Sequence, residues 1–119
     1  MSTRVELWGI PTCGSTRKAR KILDELGVDY VYKDLREVAV PKALLRDMLA
    51  AVSEPRRVFN TSGASYRDGG WSARVAGLSK DEIIAALQAD PMLIKRPVIR
   101  GAAGVLVGLD EDAIRGMGK

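Results

Sequence analysis

The stretch from Arg4 to Tyr32 constrains the fold most, because its pattern changes from strand to helix and back again. Arg4–Trp8 alternates and carries the apolar residues of a strand entering a core. From Gly14, apolar residues recur at helical spacing as far as Gly27, which stands where a C-terminal helix cap belongs. Val28–Tyr32 is again rich in β-forming residues. Two strands joined by a helix of this length predict a βαβ unit with parallel strands.

The only cysteine of the chain, Cys13, lies where the first strand turns into the first helix. The free N–H groups of Gly14, Ser15 and Thr16, at the positive end of that helix, favour a thiolate and an anion site. Arg17, one turn further on, is expected to add a positive charge on nearly the same face. We therefore predict that Cys13 is a nucleophile. The alternatives are that Cys13 is a small buried hydrophobic residue and that Ser15 or Thr16 is an ordinary helix cap.

The composition excludes several kinds of chemistry. The chain has no histidine, which removes Cys–His and Ser–His–Asp nucleophiles and Cys/His zinc sites, and we expect no bound metal or cofactor. One cysteine cannot form an internal disulfide, and no leader-like or membrane-spanning run is present, so we expect a cytoplasmic protein without a membrane partner. The net charge of +4 favours acidic ligands. It is dispersed and accompanied by few aromatic residues, so we expect no nucleic-acid partner.

A segment of helical character follows the βαβ unit. Pro41 is predicted to be the first residue of a helix that runs through Val52 and ends before Pro55. Ser79–Glu82 has the sequence of a capping box, so a second helix is predicted to start there and to stop near Pro91.

The last part of the chain returns to strands. Met92–Arg100 is apolar and predicts a strand, in which Pro97 implies an edge, a bulge or a cis bond. Gly101–Gly104 predicts a short turn, and Val105–Val107 a strand that completes an antiparallel hairpin. Gly108–Asp110 is expected to cap a final short helix.

This order of elements resembles the thioredoxin fold: a β-α-β unit and a β-β-α unit, with a cysteine at the start of the first helix and a proline opening the third strand. We therefore predict an α/β protein with a thioredoxin-like mixed sheet and a helical insertion. Its 119 residues fit a single domain. The core is predicted to comprise about residues 1–35 and 91–119, and the insertion about residues 36–90.

Four motifs narrow the resemblance. Cys13–Arg17 resembles the active-site loop of glutaredoxin-linked arsenate reductases, and Lys95–Val98 resembles the Arg–cis-Pro strand that those proteins place beside the catalytic thiol. Phe59–Gly63, followed by Tyr66-Arg67, and Val107–Glu111 resemble the wider family of arsenate-reductase-related (ArsC) and Spx-type proteins. The motifs occur in family order across nearly the whole chain.

The resemblance implies that Cys13 is the catalytic nucleophile and that Arg96 helps to hold its thiolate or an anionic ligand. Pro97 blocks strand pairing, which would leave the preceding backbone open to bind a peptide-like ligand. Asn60 would lie in the part of the insertion that faces the thiol. The alternatives are an edge-strand proline and an ordinary turn asparagine.

The chain departs from the family in its arginines. The resemblance to arsenate reductases of this type implies three arginines around the thiol. In this chain, only Arg96 falls on one of these three positions. The other two would fall at Asn60 and near Gly108, where the chain has no cation. Because several guanidinium groups hold an oxyanion best, we expect weak arsenate binding. Whether Arg17, Arg67 or Arg100 replaces the missing arginines stays open.

Two functions follow from the resemblance. The first is a monothiol reduction in which Cys13 passes through a mixed disulfide with glutathione that a glutaredoxin resolves. The second is a non-enzymatic, Spx-like regulator that binds a protein partner such as RNA polymerase through the insertion and the first helix. The resemblance to Spx-type proteins implies a redox switch formed by a C-x-x-C pair in this loop. Thr16 stands at the position of the second cysteine here, so that switch is not expected.

Overall fold

The computed structural model describes residues 5–102 and 104–117. These residues form two compact units. The first comprises the described residues up to Val38 and those from Arg96 onward, and the second is Ala39–Lys95. None of the helices in the described residues has the length and apolar character needed to cross a membrane.

The first unit is built on a four-stranded mixed sheet. Its strands are β1 (Val5–Gly9), β2 (Tyr30–Asp34), β3 (Val98–Gly101) and β4 (Gly104–Val107), and its helices are α1 (Gly14–Leu26) and α6 (Glu111–Gly116). The strand order is β2-β1-β3-β4, with β1 and β2 parallel and β3 antiparallel to both of its neighbours. These features confirm the predicted β-α-β and β-β-α arrangement and its mixed sheet.

Helix α1 packs its apolar face on this sheet. The buried cluster contains Ala19, Ile22 and Leu23 from α1, Leu7 from β1, Ile99 from β3 and Ile114 from α6. The helix ends at Gly27, which has φ 69° and donates its N–H to the carbonyls of Leu23 and Asp24, as the sequence predicted. Burying a large aliphatic side chain contributes about 1.5–3 kcal/mol. The cluster therefore holds α1 firmly, and with it the residues at its N-terminus.

The second strand was predicted two residues too early. The sequence indicated Val28–Tyr32, whereas β2 is Tyr30–Asp34 and pairs with β1 from Val5 to Gly9. The reason is local: the Val28 N–H bonds the Leu23 carbonyl at 3.1 Å and so belongs to the C-terminal cap of α1. Arg4, at the start of the predicted first strand, lies outside the described residues.

The third strand is shorter than predicted. Within Met92–Arg100, the residues up to Leu93 belong to a 3₁₀ turn (Pro91–Leu93), because the Asp90 carboxylate accepts the Met92 N–H. The Arg96–Pro97 peptide bond is cis, and β3 starts directly after it. The predicted hairpin with β4 is confirmed in the described residues, and Ala103 in its turn lies outside them.

The second unit consists of helices and turns. Its helices are α2 (Lys42–Ala51), α3 (Ala64–Asp68), α4 (Trp71–Arg74) and α5 (Lys80–Ala89), and its 3₁₀ turns are Pro55–Val58, Val75–Gly77 and Pro91–Leu93. Rings of Phe59, Tyr66 and Trp71 pack together, with centroids 5.9 Å apart for each pair that includes Phe59. A single antiparallel bridge joins Phe59 to Ile94.

Two helix starts in this unit test the sequence rules. The capping box at the start of α5 is confirmed: the Ser79 hydroxyl accepts the Glu82 N–H at 3.2 Å, and the Glu82 carboxylate accepts the Ser79 N–H at 2.9 Å. Pro41 was predicted to be the first helical residue, but it is the N-cap of α2 with an extended backbone (ψ 142°). Its carbonyl accepts the N–H of Leu45, so the helix begins one residue later than predicted and ends at Ala51.

Candidate functional site

Cys13 begins helix α1 as its N-cap residue. Its carbonyl accepts the first helical hydrogen bond, from the Arg17 N–H at 3.0 Å. Its own N–H donates to the Ile10 carbonyl at 3.1 Å and closes the turn that follows β1. A side chain at the N-cap is well placed to accept hydrogen bonds from the first free N–H groups of the helix. The partly buried sulfur of Cys13 therefore lies at the positive end of α1.

Hydrogen-bond donors act on this sulfur from several sides. Burial is the largest single effect, and it raises the pKa of the Cys13 thiol. The Thr16 hydroxyl, the backbone N–H groups of Thr16 and Ser15, and the Arg96 side chain all favour the thiolate. Together these donors outweigh burial and hold the pKa of Cys13 below its ordinary value. Such surroundings are those in which cysteines are reactive.

Thr16 is packed tightly beside Cys13. It is one of two polar or charged residues that are buried in the described chain, and none of its surface is exposed. Its Oγ1 has no hydrogen-bond partner of standard geometry among the described residues, although it favours the Cys13 thiolate. A neutral thiol is a weak acceptor and a thiolate is a strong one, so the two observations agree.

Glycine at position 9 makes room for Thr16. A Cβ at Gly9 would lie 2.6 Å from Thr16 Cγ2 and closer still to its Oγ1. Since real Cβ contacts are never this short, any larger residue on the last position of β1 would displace the Thr16 side chain. The end of the strand therefore fixes the hydroxyl that acts on Cys13.

The segment Arg96-Pro97 supplies the other side of the site. Arg96 belongs to the same compact unit as Cys13, and its side chain acts on the sulfur to lower the pKa of Cys13. Pro97 is buried, and its carbonyl accepts the Gly108 N–H at 2.8 Å. Because β3 is held between β1 and β4, it carries Arg96 to the strand end that precedes α1.

The other predicted residues of the first helix are exposed to different degrees. Gly14 is exposed and Ser15 partly buried, and Ser15 contributes its backbone N–H to the sulfur. Arg17 is exposed, and its side chain makes no hydrogen bond or ion pair with another described residue. It is therefore available to a ligand but is not held in place by the protein.

Asn60 and Arg67 lie in the second unit. The Asn60 N–H donates to the Leu93 carbonyl at 2.7 Å, and its carbonyl accepts the Gly63 N–H at 3.1 Å, so Asn60 opens a tight turn. The exposed Arg67 donates to the Ser62 carbonyl at 3.4 Å across the same turn. The assignment of Asn60 to the anion site stays a prediction.

Sequence reasoning missed two features of this site. It gave Thr16 a backbone or capping role and assigned its hydroxyl no action on Cys13, and it gave Gly9 no role. The signal for Thr16 was its position three residues after Cys13, which is the spacing of a capping box. Nothing in the sequence identified Gly9, because its importance arises only from its approach to Thr16.

Comparison with known proteins identifies the family. The family model named ArsC matches residues 8–117, which include every residue of the candidate site. The chain belongs to the ArsC family. This ArsC protein has a cysteine at the start of its first helix and an arginine before a cis-proline. The resemblance to arsenate reductases rests on these two positions.

Three proteins to which the chain is similar have different descriptions. YusI of Bacillus subtilis, described as an uncharacterized protein, is 35% identical over 108 residues, which cover 86% of this chain and 87% of that protein. The structure described as a possible arsenate reductase from Streptococcus mutans has a TM-score of 0.84 and 34% identity, and covers 93% of this chain and 98% of the other. The global transcriptional regulator Spx 2 of Bacillus cereus is 24% identical over 93% of this chain and 84% of its own.

Proposed function

We propose that this ArsC-family protein is a monothiol oxidoreductase that uses Cys13 as its nucleophile and glutathione as its reductant. The observation that carries the proposal is the set of donors around one partly buried sulfur, which favours the thiolate although the chain has no histidine. Arg96 and the first N–H groups of α1 hold the thiolate or an anionic ligand. Glutathione carries two carboxylates, so it fits a site with this polarity.

The proposed cycle is a pair of thiol–disulfide exchanges. The Cys13 thiolate attacks the glutathione sulfur of a disulfide that contains glutathione, the old S–S bond breaks, and the other sulfur leaves as a thiolate. A second thiolate, from glutathione or a glutaredoxin, then attacks the glutathione sulfur of the mixed disulfide and releases the Cys13 thiolate. No second cysteine of this chain takes part, because there is none. Such a cycle fits the reducing conditions of the cytoplasm.

Arsenate is a poor candidate for the oxidised substrate. Of the positions expected to hold an oxyanion, only Arg96 has a cation, whereas Asn60 opens a turn with its backbone. Gly108 has φ 86°, a backbone conformation in which a side chain is strained, and its N–H is bonded to the Pro97 carbonyl. One guanidinium group binds an oxyanion more weakly than three, so arsenate should compete poorly with glutathione-containing disulfides.

The test is to mix the fully reduced protein with oxidised glutathione and to follow the intact mass. The proposal predicts the addition of one glutathionyl group to wild type and none to Cys13→Ser, and its removal by a purified glutaredoxin with glutathione. Arsenate in excess should not slow the reaction. Failure of wild type to form the mixed disulfide would contradict the proposal.

A second candidate is a regulator that binds a protein partner, for which RNA polymerase is the partner proposed. Its support is the relation to Spx 2 and a groove of about 380 Å³ in the second unit, between α2 and α5. The groove is lined by the cations Lys42 and Arg46, one carboxylate, Asp81, and the apolar side chains of Ile84 and Ala85. A groove lined by both cations and apolar side chains suits an acidic, partly apolar segment of a partner.

The two candidates differ in their dependence on Cys13. A regulator should bind purified RNA polymerase with unchanged affinity after Cys13→Ser and with reduced affinity after charge reversal at Lys42 and Arg46. A reductase should lose all turnover after Cys13→Ser and keep it after the charge reversal. Surface-immobilised protein and a glutaredoxin-coupled assay measure these two properties on the same preparations.

A further inference from the structure

The Thr16 hydroxyl is a buried polar group without a partner of standard geometry among the described residues. The residue has 0% relative exposure, so no solvent reaches Oγ1 in place of a protein acceptor. Leaving a buried hydroxyl unsatisfied costs free energy, and native proteins seldom do so without a reason. We therefore expect this hydroxyl to have an acceptor that is present only in one protonation state of the protein.

The acceptor is defined by the first turn of α1. Cys13 is the N-cap residue and Thr16 is the third helical residue, the pair of positions whose side chains meet in a capping box. The Cys13 sulfur makes no capping hydrogen bond of standard geometry in the structure, and a neutral thiol is a weak acceptor. Once ionised, it becomes a strong acceptor within reach of the Thr16 hydroxyl.

The position of the hydroxyl is imposed by the packing. Gly9 approaches the Thr16 side chain so closely that a Cβ there would lie 2.6 Å from Cγ2. Gly9 is held in turn by its pairing with Asp34, and by its carbonyl, which accepts the Leu35 N–H at 2.9 Å. Threonine is also restricted at χ1, so the hydroxyl has few alternative directions.

We infer that Thr16 is a positioning residue for Cys13: its hydroxyl, set by Gly9, donates a hydrogen bond to the Cys13 thiolate and holds the sulfur at the end of α1. The inference rests on the proposed function for its consequence, since it concerns the thiol that the reaction would use. A hydroxyl at this position also cannot be oxidised. Only an external thiol can therefore resolve the mixed disulfide at Cys13, because the chain has no second cysteine to displace glutathione.

The test compares Thr16→Val with Thr16→Ser. Valine keeps the volume and branching of threonine but removes the donor, whereas serine keeps the donor and loses the methyl group. The pKa of Cys13 is read from the pH dependence of its alkylation by iodoacetamide. We expect the ionisation constant of Cys13 to fall about tenfold in Thr16→Val, which corresponds to a rise of one pKa unit, and to stay within about twofold of wild type in Thr16→Ser.

Ser72→Ala is the matched control, because Ser72 carries an exposed hydroxyl on α4, in the second unit, and has no role in the site. It should leave the alkylation profile unchanged. Circular dichroism and urea unfolding establish that each variant is folded before alkylation. If Thr16→Val alkylates as wild type does, or if Thr16→Ser loses reactivity as Thr16→Val does, the hydroxyl is not the positioning group.

The outcome separates this inference from the proposed function. A pKa that depends on the Thr16 hydroxyl supports the inference even if wild type never forms a mixed disulfide with oxidised glutathione, and that second result would overturn only the proposed function. Conversely, an unchanged pKa of Cys13 in Thr16→Val, together with normal glutathionylation of wild type, overturns the inference and leaves the monothiol cycle standing.

Discussion

The ionisation of Cys13 should stabilise the protein, because the thiolate caps helix α1. The sulfur is the N-cap side chain of α1 and, when charged, accepts the N–H groups of Ser15 and Thr16. The pKa of Cys13 in the folded protein is held below its ordinary value, which is the value of an unfolded chain. Between these two values the unfolded state binds more protons than the folded state, so stability rises with pH.

The sign and size of the effect follow from this difference. The stabilisation is fully present above a pH of about 8.5 and is lost as the pH falls through the folded-state pKa of Cys13. One pKa unit corresponds to about 1.4 kcal/mol, and partial exposure of the sulfur reduces this figure through solvent screening. An N-cap interaction contributes about 1 kcal/mol, which we take as the expected gain. In a chain of this size it corresponds to a change in Tm of about 4 °C.

The assay is urea unfolding followed by circular dichroism, under reducing conditions, for wild type and Cys13→Ala across the pH range. All other titrating groups are common to both proteins, so they cancel in the difference between the two free energies of unfolding. That difference should grow by about 1 kcal/mol from acid to alkaline pH. Cys13→Ser is the control, since its hydroxyl caps the helix without titrating and should differ from Cys13→Ala by a constant. If the difference in free energy of unfolding between wild type and Cys13→Ala is constant, or falls as the pH rises, the reasoning is refuted.

Three further substitutions test separate parts of the structure. Arg96→Gln removes a cation from the sulfur, so the pKa of Cys13 should rise and iodoacetamide alkylation at pH 7 should slow several-fold, with Arg67→Gln unaffected as the control. Gly9→Ala forces a methyl group against Thr16 and should lower the free energy of unfolding by about 1–3 kcal/mol. If urea unfolding shows no change, the Thr16 side chain can move to accommodate the methyl group. Ser79→Ala removes one bond of the capping box and should cost about 1 kcal/mol by the same assay while leaving Cys13 alkylation unchanged.

The elements that could be predicted from sequence are those with strong local signals. Helix α1 was placed correctly because its apolar spacing and Gly27 act within a few residues of each other. The start of α5 was correct because both bonds of the capping box come from Ser79 and Glu82 themselves. In such cases the interactions that define the helix are formed by residues that are close together in the sequence.

The errors arose where a competing local bond decided the outcome. Val28 has high β-propensity, but its N–H is used by the cap of α1, so β2 starts later. Met92 and Leu93 are apolar enough for a strand, but the Asp90 carboxylate turns them into a 3₁₀ turn. A short apolar run does not reveal which of these bonds forms.

The candidate site was predicted in part. Cys13 and the N–H groups of Ser15 and Thr16 follow from a strand-to-helix turn, which is a local feature. The approach of Arg96 to the sulfur joins distant parts of the chain and came only from the resemblance. The role of the Thr16 hydroxyl depends on its distance from Gly9, which no pattern of residue types encodes.

The central claim is that Cys13 is a reactive thiolate that serves a glutathione-dependent cycle. Its most direct test is the pKa of this thiol, obtained from the pH dependence of alkylation in the absence of ligand, with arsenate, and with oxidised glutathione. We predict a pKa clearly below about 8.5, rapid formation of the glutathione mixed disulfide, and no protection by arsenate. A pKa at or above about 8.5 would contradict the claim and favour the partner-binding regulator, and protection by arsenate would instead identify an arsenate reductase.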